Sequence, residues 1–376
     1  MAIRLLTLVI GLATAGPPSA PTIIAPKESA NGVVTFRFAS YAPGIPAARL
    51  RYRCGIDAAA VVKCRSPRVF RLRPGTHVFR VQAVDPRGRR SRFARTSVEV
   101  LKPTVTVKVG LSPVALTFGA NALWTADYDG GTVTRIEGGA SRARIPIGGS
   151  PGGIALAGGS IWVGDFRPNG VLTRLDPATN GVVGHVVLGG QPAGLLGDGD
   201  TLWVADYAGS VIRLDTRTNA VVARIPVGGN PEAFALGFGL LWVSNQDGTL
   251  TAVDPSTNAV AGAKVTGDPD LDAVAIGSDA LWTTSFNGNT LLKVDPASRK
   301  VIKRIRLGGE GSGVLVRGGT VWASVYDAGL VVRVDAASGR ILQRIRVGTK
   351  PRDLVFDGTS IWVVNQGSST ISRITP

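Results

Sequence analysis

The sequence predicts an all-β protein, most of it a seven-bladed β-propeller, and three observations carry that prediction. All seven tryptophans fall in one register, Trp124, Trp162, Trp203, Trp242, Trp282, Trp322 and Trp362, at intervals of 38 to 41 residues. A glycine precedes each by 14 residues, or by 15 in the fifth copy: Gly110, Gly148, Gly189, Gly228, Gly267, Gly308 and Gly348. Between these markers each copy reads as four short β-branched-rich segments bounded by Gly, Pro, Asn or Asp, and four strands per ~40 residues make a propeller blade.

Residues 1–20 read as a signal peptide and linker. Arg4 gives a positive start, an apolar run spans Leu5 to Ala13, and Ala13-Thr14-Ala15 fits a cleavage site. Gly16-Pro17-Pro18 would end a buried first strand at once. No cysteine stands near the cleavage point to carry a lipid, and no later run reaches the ~18 apolar residues of a membrane span. The expected location is therefore secreted or at the cell envelope.

Residues 21–102 form a second predicted domain. Strand-like runs at Val33–Phe38, Arg49–Cys54, Arg68–Leu72, Thr76–Val84 and Phe93–Val100 fit a small immunoglobulin-like or fibronectin-III-like sandwich. Cys54 and Cys64 are the only cysteines; in an exported chain an isolated pair reads as a disulfide, and two thiols leave zinc short of ligands. The charge is concentrated here. Residues 16–102 carry 17 Lys/Arg against 4 Asp/Glu, whereas residues 103–376 carry 24 against 22. Arg49, Arg51 and Arg53 alternate and are expected on one strand face, while Arg87, Arg89, Arg90 and Arg92 crowd a loop. Such a face suits an anionic envelope polymer; it also suits an ordinary solvated surface in a chain with 33 Arg and 9 Lys. Export and the lack of a recognised module disfavour nucleic acid.

Residues 103–376 hold the repeats. In the third copy strands are expected at Ala193–Leu196, Thr201–Ala205, Ser210–Leu214 and Ala220–Val227. Asp176 and Asp254, with the variants at Asp215 and Asp295, open tight turns in which the carboxylate accepts backbone N–H bonds. The last copy stops after a third strand, Thr370–Ile374. The stretch VTVKVG at Val105–Gly110 matches fourth strands elsewhere, so an N-terminal strand is expected to close the last blade.

The stretch LWVADYAGSVIRLDTRTNAVVARIPVGGNP, residues 202–231, resembles the repeats of YVTN-type, YncE-like seven-bladed propellers and those of virginiamycin B lyases, which inactivate streptogramins. The segment with Cys54 and Cys64 is similar to small exported bacterial Ig-like domains. The lyase resemblance implies histidine and acidic groups with magnesium near the channel. The propeller has one histidine, His185, expected on an outer strand; His77 lies in the sandwich. Thiol catalysis has no cysteine in the repeats, and GGEGSG at Gly308–Gly313 lacks the lysine of a phosphate loop.

The loops joining blades and those joining second to third strands share one propeller face, which is the expected working surface. Ten residues before each tryptophan stand Val114, Gly152, Ala193, Glu232, Asp272, Ser312 and Arg352, with Asp270 and Asp353 beside them. Glu232, Asp272 and Arg352 fit no repeated structural role and, with Asp270 and Asp353, are the ligand-binding candidates. Three residues after the tryptophans, Asp127, Asp165 and Asp206 either bond their own turns or form a carboxylate crescent for a divalent cation. No other cofactor is expected. The leading expectation is an exported, monomeric, non-catalytic binding or scaffold propeller for a small polar ligand or envelope protein. The rival is a metal-assisted lyase or hydrolase using the channel-face carboxylates, Glu232 and Asp272 included.

Overall fold

The computed structural model describes residues 16–376 except 27, 30, 31 and 101–103. Most of the expected signal peptide, residues 1–15, lies outside the described residues. The chain divides into two compact units, the second being Thr104–Pro376.

In the first unit, one sheet holds Thr22–Ile24, Val33–Ala39 and Arg68–Arg71; the other holds, in spatial order, Glu28–Ser29, Ala94–Val100, Gly75–Val84, Arg51–Ile56 and Val62–Cys64. Alternation along Val33–Ala39 buries Val34, Phe36 and Phe38 against Phe79, Val81 and Val98. Phe36 stacks on Phe79 with ring centroids 4.2 Å apart. Cys54 and Cys64 form a disulfide, Cα to Cα 6.0 Å, tying the edge strand Val62–Cys64 to Arg51–Ile56. Arg49 does not share the strand face expected of it. Pro46 leads into a 3₁₀ turn, Ala47–Arg49, and buried Leu50 holds the chain before the strand begins at Arg51. Arg51 and Arg53 do alternate, and Arg53 donates to Val61 O at 3.0 Å.

The second unit holds seven antiparallel sheets and is propeller-like. Strands within a sheet are called a to d by spatial order. In the third sheet they are Pro192–Asp198, Thr201–Asp206, Ser210–Asp215 and Ala220–Pro226, each within two residues of expectation. Neighbouring a strands pack on one another right around the unit, including Pro351–Phe356 of the seventh sheet on Pro113–Gly119 of the first, so the sheets close a ring. Strand d of the seventh sheet is Val105–Lys108, paired antiparallel to Thr370–Ile374. The fourth sheet departs from the pattern. Its d strand is split into Ala259–Val260 and Val265–Thr266, with Gly262 at φ +65° in the gap.

Each tryptophan sits in strand b, at most 3% exposed, beneath a cation. Six cations come from the facing c strand: Arg135, Arg174, Arg213, Lys293, Arg333 and Arg373, at 5.0 to 5.6 Å from their rings. Several reach on into the next sheet's c–d turn. Arg135 donates to Pro177 O (2.8 Å) and Asn180 Oδ1 (2.9 Å), and Arg213 to Pro255 O (2.8 Å) and Asn258 Oδ1 (3.0 Å). In the fourth sheet Ala252 faces Trp242 instead. Arg299 covers Trp242 at 5.6 Å from the fifth sheet's turn, in the left-handed position that Asn180, Asn219 and Asn258 hold elsewhere. The strut survives with its direction reversed.

Two outcomes test this frame. Deleting 104–110 removes strand d of the seventh sheet and exposes the edge of Thr370–Ile374, so it is expected to lower the melting temperature of the second unit more than removing 21–101. Equal losses would refute closure by that strand. Arg213→Ala removes a ring contact and two hydrogen bonds and is expected to cost about 1–3 kcal/mol in denaturant titration. A loss inside the ~0.5 kcal/mol typical of surface changes would refute the strut.

Candidate functional site

The positions ten residues before the tryptophans converge. Val114, Gly152, Ala193, Glu232, Asp272, Ser312 and Arg352 all line one cavity of about 560 Å³ at the start of the a strands. Asp353 lines it too, while Asp270 stands outside the lining but close enough for its charge to act on Glu232. The b–c loops add Tyr128, Phe166, Tyr207, Gln246 and Gln366. The two glutamines escaped the sequence reading. They occupy the fourth residue after Trp242 and Trp362, where the other five copies carry Tyr or Phe, and that break in register was the available signal.

The polar groups form two linked sets. Tyr207 Oη donates to Gln246 Oε1 at 2.5 Å, and Gln246 Nε2 donates to Glu232 Oε1 at 2.5 Å. Ser312 Oγ donates to Asp272 Oδ2 at 2.6 Å, and Arg352 Nη2 lies 3.7 Å from the same oxygen. Arg352 also stands 5.8 Å from the Tyr326 ring, whose hydroxyl donates to Gln366 Oε1 at 3.2 Å.

Burial pushes the Glu232 carboxyl up to about 8; the Asp272 and Asp270 charges push the same way, and Arg352 and the Gln246 amide pull against them. Burial also raises Asp353 to about 6 in spite of two backbone donors, Leu116 N at 3.1 Å and Leu354 N at 2.8 Å. Burial and Asp272 raise Asp270 against the pull of Arg352. Burial, Glu232 and Asp270 raise the Tyr207 phenol. Burial works against the Arg352 charge, but the acidic groups around it, Asp272 foremost and then Glu232, Tyr326 and Asp353, together raise it.

Asp353 differs from its equivalents, which are Ala or Gly in the other six sheets. A Cβ on Gly153, Gly194 or Gly313 would stand 2.0 to 2.4 Å from a carbonyl of the following sheet. Between the seventh and first sheets the carboxylate fits, and by accepting Leu116 N–H it pins the seam.

Asp127, Asp165 and Asp206 are not brought together. Asp127 is wholly buried and accepts hydroxyl bonds from Thr125, Thr132 and Thr134 at 2.7 to 2.9 Å. Asp165 accepts Ser150 N at 2.8 Å and Arg167 Nε at 2.9 Å; Asp206 accepts Gln191 N at 2.9 Å and Ser210 Oγ at 3.0 Å. Each carboxylate occupies the space a Cβ would need on Gly110, Gly149 or Gly190. Asn365, the equivalent residue of the seventh sheet, likewise accepts Gly348 N at 3.0 Å. Among the described residues no group of three or more His, Cys, Asp or Glu side chains is placed to hold a metal ion. Both histidines lie elsewhere. His185 is exposed on strand d with Nδ1 3.2 Å from Thr173 Oγ1, and His77 in the first unit pairs with Asp57 at 2.7 Å.

No protein-family model matches the chain, and no curated protein matches it in sequence. Among solved structures it is similar to a chain of Kuenenia stuttgartiensis hydrazine synthase, with a TM-score of 0.63 and 15% identity over 72% of this chain and 97% of that one. The likeness shows a propeller-like fold alone.

The raised carboxyls make stability depend on pH. Glu232 and Asp353 keep protons in the folded protein where the unfolded chain has lost them, so the stability they contribute is complete below the ordinary carboxylate range. It is lost as pH rises through about 6 for Asp353 and about 8 for Glu232. The melting temperature of the second unit is expected to fall between about pH 5 and about pH 8, and Glu232→Gln to flatten the upper part of that fall. Superimposable profiles for the two proteins would contradict this assignment.

Proposed function

We propose that the chain is an exported, non-catalytic binding protein, a seven-bladed propeller of the YncE-like type behind a small Ig-like sandwich, with its ligand seated in the cavity at the start of the a strands. The single observation that carries the reading is the variety of the seven lining positions. They run from Gly152 and Ala193 through Ser312 to Glu232, Asp272 and Arg352, although all seven stand at the same place in a repeat. A residue needed only to build a blade would not range so widely; one that contacts a ligand can. The Cys54–Cys64 disulfide suits an extracytoplasmic location, and among the described residues no helix is long and apolar enough to cross a membrane. The metal-assisted lyase reading finds less support, since the cavity has no histidine lining and Asp127, Asp165 and Asp206 are bound within their own sheets. Arg51 and Arg53 keep an anionic envelope polymer as a candidate partner of the sandwich.

A thermal-shift screen of small polar compounds tests the site, because a ligand of the folded state raises apparent stability. Replacing Glu232, Asp272 and Arg352 together by alanine is expected to abolish any shift found. The unliganded triple variant is expected to stay folded at neutral pH and to melt in one cooperative transition. His185→Ala is expected to alter neither. Unfolding of the triple variant would make these residues structural, and binding lost only in the His185 variant would move the site.

A further inference from the structure

The cavity has two unlike walls. On one side stand Tyr128, Phe166 and Tyr207, with ring centroids 6.5 Å and 5.3 Å apart, beside the small residues Gly152 and Ala193. On the other stand three carboxyl groups, Glu232, Asp272 and Asp353, with one guanidinium, Arg352. That guanidinium is already engaged by Asp272 and by the Tyr326 ring, and Asp353 is taken up by two backbone N–H groups. Glu232 holds only the neutral amide of Gln246 on Oε1. An anion entering here would meet an excess of negative charge. A neutral molecule would leave that excess uncompensated. A bare metal ion lacks a ligand set among the described residues. A cation with a flat apolar body satisfies both walls, since aromatic rings attract cations as well as apolar surface.

We propose that this cavity binds an organic ammonium ion, its nitrogen between Glu232 and Asp272 and its apolar body against Tyr128, Phe166 and Tyr207. The assignment rests on the binding reading above and names its ligand class. It carries a proton-coupling consequence. The charged and titratable groups around Glu232 are Asp272, Asp270, Asp353, Arg352 and Tyr207. Their net effect together with burial keeps the Glu232 carboxyl protonated up to about pH 8. An arriving ammonium ion reverses the balance, and Glu232 releases its proton to solvent as the ion pair forms.

Isothermal titration of the full chain with three probes of similar shape tests this: tyramine (cationic), tyrosol (neutral) and 4-hydroxyphenylacetate (anionic). Run at neutral pH in two buffers of unlike ionisation enthalpy, tyramine is expected to bind at least about tenfold more tightly than tyrosol. Its binding should release close to one proton and strengthen from about pH 6 to about pH 8.5. Glu232→Gln is expected to weaken tyramine about tenfold and abolish the proton release, with its melt at about pH 6, where the wild-type carboxyl is protonated, serving as the folding control. If that variant fails to fold, Asp272→Asn gives the second reading, with weaker tyramine binding expected. Tyrosol or the anion binding as tightly as tyramine, calcium or magnesium displacing it, or undiminished binding by the folded Glu232→Gln protein overturns the ammonium assignment and leaves the binding role standing. Silence of all three probes, together with a silent thermal-shift screen, overturns both.

Discussion

The ring depends on a buried indole that is never buried alone. Each tryptophan lies in strand b under an arginine or lysine, and in most sheets that cation goes on to hold the c–d turn of the neighbouring sheet. One side chain thus covers a large apolar surface with its stem and ring contact, and uses its donors on carbonyls that would otherwise face solvent. The Asp-Pro turn supplies the fixed target. Asp176 accepts Ala178 N at 3.0 Å, and Asn180 takes φ +60°, which aims its side-chain oxygen at Arg135. The fourth sheet shows that the interaction and not the residue is what the fold requires. With Ala252 in place of the c-strand cation, Arg299 replaces the asparagine of the next turn and reaches back, donating to Ala261 O at 2.5 Å and Ala263 O at 2.7 Å. Those carbonyls belong to the gap that splits the fourth d strand, so the reversed strut and the irregular strand are one local solution.

The struts cannot serve every junction. The seventh sheet takes its c and d strands from opposite ends of the unit and has no c–d turn, and the first turns at Gly138 and Gly139, both at positive φ. The seam between them is held by other means: the pairing of Val105–Lys108 with Thr370–Ile374, and Asp353 on Leu116 N–H. A carboxylate placed for closure therefore also lines the cavity. Its raised pKa comes from burial at the seam, so perturbed titration by itself does not separate a ligand-binding group from a structural one here. Glu232 is different in kind, since no backbone donor accounts for its position.

The frame was legible because it is periodic. Tryptophan and glycine recur for packing reasons that hold in every sheet, and strand ends followed within one or two residues from turn chemistry. Asp127, Asp165 and Asp206 left two readings open, because a carboxylate after a strand looks the same whether it turns into its own loop or into a channel; the threonines and glycines that receive it are set by register across strands. Arg49 was misplaced for a related reason, an alternating pattern running across a 3₁₀ turn that Pro46 and Leu50 impose. The cavity's charged residues were visible as exceptions to the repeat. Gln246 and Gln366 were exceptions of the same kind at a second position, overlooked because five aromatic neighbours looked like the whole pattern.

Periodicity and exception together bear on how such a site can be built. The struts lie on strands b and c and their turns, away from the a-strand starts, so substitution at those starts leaves the struts intact. A half-buried carboxyl beside a second carboxyl is nonetheless costly, since burial and like charge both oppose ionisation. Within this ring that cost is confined to two adjacent sheets and answered only in part by Arg352 from a third, while the opposite arc is free of charge. Solvation alone would distribute charge around a water-filled mouth, and packing alone would have made all seven positions small. Uncharged starts beside Tyr128, Phe166 and Tyr207 on three consecutive sheets, followed by Glu232 and Asp272 on the next two, have the form of a surface matched to a molecule with two unlike ends.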